Sequence, residues 1–136
     1  MKNIKTSKPT DLDFLILGIN CHIKSYKLCW EINKKLNTNF VKSNNHTITT
    51  TNKLEFERFT YFDKENNTDY NILSNRSENG HLEPLNKSVN YFLVVEGGIY
   101  KAKNIIESLN KIDDVLLVFE LNLSKIKNIE SFIINE

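Results

Sequence analysis

The residues of this chain that could do chemistry are few and scattered. Cys21 and His22 are adjacent, Cys29 follows shortly after, and His46 and His81 are the remaining histidines. Thiolate and imidazole together make a soft metal set, yet the spacing fits no known zinc arrangement and a fourth ligand would have to come from a distant loop. No metal is therefore expected: Cys29 reads as a small buried apolar residue and the histidines as exposed. Gly97-Gly98 stands between an apolar run and a helical pattern, where backbone amides can hold an anion. The full phosphate-loop and dinucleotide patterns are absent, so no cofactor is expected. The plainer reading of the glycine pair is a tight turn that needs positive φ. A small-molecule or anion site, if present, is expected to combine Gly97 and Gly98 with Asn20, Cys21 and His22 at the end of the first strand. No Ser/His/Asp set or nucleophile elbow is visible.

Phe56, Phe59, Tyr61 and Tyr70 could present rings to single-stranded RNA. Glu55, Glu57, Asp63, Glu65 and Asp69 interleave with them. That acidity opposes phosphate, so the rings read as the aromatic core of a sheet.

The elements that must position these residues follow from periodicity. Residues 1–10 read as a flexible lead and 11–136 as one domain. Asp13 to Asn20 is apolar on both faces, as in a covered central strand. Ser25 to Leu36 is an amphipathic helix with Ser25 as its expected N-cap. Leu28, Cys29, Ile32 and Leu36 form its apolar stripe at about 100° per residue, and Tyr26 and Trp30 are expected to extend that stripe. Phe40-Val41 reads as a short strand, and Asn44 to Thr51 as an exposed strand or a loop. Leu54 to Phe62 alternates, with a phase shift at Arg58 that predicts a bulge. Asp63 to Asp69 is a hairpin connection, Tyr70 to Ser74 the return strand, and Asn75 to Gly80 a flexible polar loop. Val89 to Val95 is again apolar on both faces. A helix from Tyr100 to Asn110 and another central strand from Val115 to Leu121 come next. A short C-terminal helix over Lys125 to Ile129, capped by Ser124, precedes an apolar tail that docks on the body.

This order predicts an α+β fold: a ferredoxin-like sandwich with a mostly antiparallel sheet, two main helices on one face, an inserted β-hairpin and a short C-terminal helix. Three strands apolar on both faces leave a second apolar face. It needs a cover, supplied by the tail, a folded-over hairpin or a second subunit.

The 136 residues suffice for a core without disulfides or metal. A net charge of +1 argues against nucleic acid or an anionic membrane as partner. Residues 1–53 carry nine Lys against Asp11, Asp13 and Glu31, and the rest of the chain is acidic in balance. No apolar run has signal-peptide or membrane-span character. Two thiols in such a chain are expected to be reduced and cytoplasmic.

Between the polar loop and the last doubly apolar run lies Glu83-Pro84-Leu85, then Asn86-Lys87-Ser88, then Val89-Asn90-Tyr91. With DFLILGI at 13–19, SYKLCWEINKKL at 25–36 and YNILSN at 70–75, this stretch resembles the small bacterial proteins called the IPExxxVDY family. Pro84, Val89 and Tyr91 match the signature, whereas Glu83, Leu85 and Asn90 depart from it. The resemblance implies no activity, cofactor or catalytic residue. Asn90 and Leu85 replace the carboxylates that could have formed an acid–base pair, so Pro84, Val89, Asn90 and Tyr91 read as structural. Pro84 would fix the approach to the strand, and Tyr91 would pack on the sheet with its hydroxyl at a polar rim. Trp30 and Tyr26 are expected to be structural as well.

Three functional readings follow. The first is a non-enzymatic protein-contact domain, as a homodimer or with an unidentified protein partner, joined through the uncovered sheet face. The second is a small-molecule-binding module at Gly97-Gly98 and Asn20-Cys21-His22. The third is an enzyme without a recognisable motif.

Overall fold

The computed structural model describes residues 14–97 and 101–134. The lead over 1–10, Gly98 and the predicted helix start at Tyr100 lie outside the described residues. The elements are β1 (Phe14–Cys21), α1 (Ser25–Leu36), β2 (Val41–Lys42), β3 (His46–Thr49), β4 (Lys53–Phe56), β5 (Arg58–Asp63), β6 (Thr68–Ser74), β7 (Arg76–Ser77), β8 (Gly80–His81), β9 (Tyr91–Glu96), α2 (Ala102–Asn110) and β10 (Val115–Glu120). The fold is α+β. Six strands form one sheet in the order β10-β1-β9-β6-β5-β2, and every adjacent pair is antiparallel.

Of the three doubly apolar strands, β1 and β9 are central, as their sequence requires, whereas β10, expected to be central too, is an edge strand with Leu116 and Leu117 exposed. β1 and β9 alternate their side chains between two cores. Leu15, Leu17 and Ile19 point to a core shared with Leu28, Cys29 and Ile32 of α1 and with Ile105 and Leu109 of α2. Phe14, Ile16, Phe92 and Val94 point the other way, to a core shared with Phe56, Leu73, Leu82 and Phe132. Gly18 lies opposite Phe119 on β10, and a Cβ there would come within 2.8 Å of the Phe119 ring. The missing side chain lets that ring lie across β1.

The second apolar face is covered from within the chain. The β3–β4 hairpin contributes Phe56, with Ile48 and Leu54 packed around it. The C-terminal segment contributes Phe132, its ring edge-on to Phe92 at 5.1 Å, with Ile126, Ile129 and Ile134 beside it. Tail and folded-over hairpin share the task, so this face is not available to a second subunit. The route to self-association that relied on this face meets a surface already covered by the chain itself.

His46 ties the two covers together. It is buried, and its Nε2 lies 2.6 Å from the backbone oxygen of Ser131. An acceptor at that distance requires the neutral ring to carry its proton on Nε2. Burial lowers the pKa of His46 and the charge of Arg58 adds to this, while the bond to Ser131 works the other way. On acidification the unfolded chain therefore takes up this proton first. The stability that neutral His46 supplies is present above about pH 6.5, the unfolded value, and is lost as pH falls through the lower folded value. Denaturant melts at pH 7.5 and 5.5 should show a larger loss for the native chain than for His46→Gln. The difference is bounded by about 1.4 kcal/mol per pH unit, the slope that one proton sets. Equal losses would remove His46 from the account.

Several local expectations are corrected. The phase shift at Arg58 is not a bulge: β4 ends at Phe56 in its own two-stranded sheet with β3, and β5 starts at Arg58 in the main sheet. The chain changes sheets there, so the faces swap. Arg58 itself is buried. It donates from Nε to the Asn44 oxygen, from Nη1 to Asn71 Oδ1 and from Nη2 to Ser43 Oγ, at 2.9–3.0 Å. Lys24 occupies the N-cap position of α1, while Ser25 is its first residue and donates to Glu57 Oε1 at 2.8 Å. The buried stripe of α1 is narrower than expected. Tyr26 and Trp30 fall beyond it at 66% and 56% exposure, with Lys34 Nζ 4.0 Å above the indole. Neither is a core residue. The short C-terminal helix is two 3₁₀ turns instead, Leu123–Lys125 and Ile129–Phe132, and Asn122 accepts the Ser124 N–H at the first.

Candidate functional site

The segment from Leu82 to Tyr91 is clasped by one side chain, Asn75. Asn75 is fully buried. Its Nδ2 donates to the Asn86 and Val89 oxygens at 2.9 and 2.8 Å, and its Oδ1 accepts from Glu83 N at 2.9 Å. Its backbone adds bonds to Asn90 O and from Leu82 N. The predicted flexible loop thus begins at an anchored residue, and its remainder folds into the β7–β8 hairpin. Pro84 opens a 3₁₀ turn over Pro84–Asn86, where its missing N–H costs nothing. The buried Glu83 carboxylate accepts the Leu85 N–H at 3.0 Å. Val89 is in the second core. Asn90 Oδ1 accepts the Cys21 N–H at 2.8 Å, and Tyr91 donates its hydroxyl to the Ile23 oxygen at the same distance. These bonds join the stretch 82–91 to the end of β1.

That junction surrounds a depression of ≈ 670 Å³, where β1 and β6 end and β9 begins. Cys21, His22 and Ile23 line one side, Ser74, Arg76 and His81 another, and Lys87, Ser88, Val89, Asn90 and Tyr91 the third. Arg76, Lys87 and His22 are exposed, so the ends of these side chains are free to move toward a bound group. No lining residue is Asp or Glu, in a chain whose acidic and basic residues are almost equal in number. Burial pushes the Tyr91 hydroxyl up to about 12, with Cys21 and Glu57 nearby acting in the same direction. Burial likewise raises the Cys21 thiol, against a backbone hydrogen bond at Ile23 that lowers it, and with Asp114 adding to the rise. Both groups are neutral at pH 7: Tyr91 is a fixed donor, and Cys21 is neither a ready nucleophile nor a thiolate ligand.

No model of a known protein family and no curated protein matches the chain.

The depression joins two groups of residues that the sequence kept apart, Cys21-His22 and the signature pair Asn90-Tyr91. It does not include the glycine turn. β9 pairs antiparallel with β1, so Gly97 follows Glu96 opposite Phe14, at the far end of the sheet. Six residues of β9 separate it from Asn90, roughly 20 Å at strand spacing. The expected union of Gly97 with Asn20, Cys21 and His22 is not formed. Gly97 has φ 77°, and a Cβ would meet the Asn67 oxygen at 3.3 Å, as a tight turn requires. Asn20 lies beside Cys21 but outside the lining, and its Oδ1 is buried with no partner among the described residues.

The metal set is dispersed too. Among the described residues no three of His, Cys, Asp and Glu gather. Cys29 faces the helix-side core, its Sγ 3.5 Å from the Phe40 oxygen, and His46 is on the opposite face. Of the RNA candidates, Phe56 is in the second core and Phe59 and Tyr70 are in the first. Phe40, Tyr61 and Tyr70 pack mutually in tilted and edge-on pairs at 5.6–6.2 Å. Ser74, Arg76, Lys87 and Ser88 were not legible as site residues. Arg76 carries the one usable signal: it and Arg58 are the chain's two arginines, and Arg58 is buried.

Proposed function

We propose that this chain is a small-molecule-binding domain that holds a phosphate- or carboxylate-bearing ligand in the depression between Cys21-His22, Arg76 and Lys87. One observation carries the reading: a polar concavity lined by Arg76, Lys87, His22 and His81, without a carboxylate among its lining residues. The exposed Ser88 hydroxyl adds hydrogen-bonding capacity beside them, while Ser74 Oγ donates to the Arg76 oxygen at 3.1 Å. An exposed Arg can take an oxyanion bidentately, which a Lys cannot. Ferredoxin-like kinship supports the class. β1, β6, β9 and β10 stand in the order 4-1-3-2 when counted along the chain, with α1 and α2 as the two crossovers, and domains of that architecture often bind small regulators. Membership of the IPExxxVDY family belongs to the same proposal, with Pro84, Val89 and Tyr91 setting one wall. The described residues contain no helix long and apolar enough to cross a membrane. A cytoplasmic setting, with Cys21 and Cys29 reduced, is part of the reading.

The test is a thermal-shift and calorimetric titration with inorganic phosphate, a dicarboxylate and a nucleoside monophosphate. At least one should raise the melting temperature. The Arg76→Ala/Lys87→Ala double variant should weaken that ligand at least tenfold, about 1.4 kcal/mol. Both residues are exposed, so the variant's melt without ligand should match that of the native chain. Undiminished binding by the variant, or no response to any of the three, removes the anion site.

A further inference from the structure

The sheet has two edges, and they differ. β2 closes one with two residues. β10 closes the other with six, Val115–Glu120, and among the described residues no element pairs with its outer side. Leu121 N bonds to Ile16 O, and Phe119 lies opposite Gly18. In an antiparallel ladder bonded residues alternate, so the backbone groups of Val118 and Glu120 face outward. This edge lacks the usual protections: from 115 to 121 there is no Pro, no Lys and one charge, Glu120. Leu116 and Leu117 add 65% and 49% exposed leucine beside the free ladder. The register shift between Asn20 and Cys21 places the bulge at the Leu116 end, away from the outward groups at Val118 and Glu120.

We propose that β10 pairs antiparallel with β10 of a second copy of this chain, about a two-fold axis near Val118 and Phe119, joining the two main sheets into one. The charges flanking the strand favour that partner and that direction. Asp113 and Asp114 precede β10, and Lys125 follows it. Antiparallel pairing about that axis sets the acidic end of each strand beside the partner's Asn122–Lys125 segment, twice per dimer. A parallel neighbour would instead align like with like. Asp114 already has Lys27 of its own chain at 3.9 Å, which leaves Asp113, exposed and next to the strand, as the group that selects the direction.

Light scattering on the full chain from 1 to 200 µM tests this. The expected result is a mass twice the chain's 15.9 kDa at high concentration. A Leu116→Lys/Leu117→Lys double variant, altered only at exposed positions, should weaken the association at least tenfold and keep a native melt. Asp113→Lys alone should weaken it, and adding Lys125→Glu should restore it. A native chain that stays monomeric at 200 µM overturns the proposal, as does a dimer indifferent to all three changes. Hydrogen exchange separates one further outcome. If the Val118 and Glu120 amides are protected in a monomer, a segment of the same chain occupies the edge and the second copy is excluded.

Discussion

Phe132→Ala is expected to cost about 3–5 kcal/mol of folding stability, the range for truncating a fully buried aromatic ring. Phe132 is wholly buried, and its ring meets that of Phe92 edge-on. Because Phe92 lies on β9 and Phe132 on the last 3₁₀ turn, the pair fixes the tail across the sheet. Losing the ring removes its buried area and also loosens the neighbours Ile129 and Ile134. A guanidinium melt reads the change, and binding of a hydrophobic dye reads whether the second face opens. A loss under about 1 kcal/mol with no added dye binding would mean that the β3–β4 hairpin covers this face without help from the tail.

Asn75→Leu should be comparably severe, about 3–5 kcal/mol, for a different reason. The isosteric apolar side chain fills the space but leaves the Asn86 and Val89 oxygens and the Glu83 N–H without their present partners. Each buried group so orphaned costs about 1–3 kcal/mol. Asn75→Asp is a sharper probe. It keeps the acceptor for Glu83 but turns an oxygen toward two carbonyl oxygens, so it should fare no better. Both variants free the segment 82–91 that forms one wall of the depression, so anion affinity should fall with stability. A melt unchanged in either variant would show that the segment is held by Val89 and Leu82 packing and not by the clasp.

Asn75 also shows where sequence reasoning stops. In the chain it is one Asn among many, beside Arg76, Ser77 and Glu78, and such a run reads as a loop. Its burial depends on the return of residues 82–90, whose carbonyls it needs, and no local pattern announces partners eleven and fourteen residues away. Arg58 is similar. The phase shift there was visible, but whether it meant a bulge or a change of sheet depended on which strand each half would pair with. Tyr26 and Trp30 border the apolar stripe on a helical wheel yet are exposed, because a wheel gives directions and not the width of the surface that receives them.

The sequence by itself determined the α+β class, the central strands β1 and β9, the apolar stripe of α1 and the need to cover a second face. These follow from side-chain periodicity, which acts within a few residues and is written locally. Only the tertiary structure decided which segments supply that cover, which end of the sheet Cys21-His22 shares with Asn90-Tyr91, and that Gly97 is at the other end. Those facts depend on antiparallel register between strands some seventy residues apart, and register is set by the packing of both faces together.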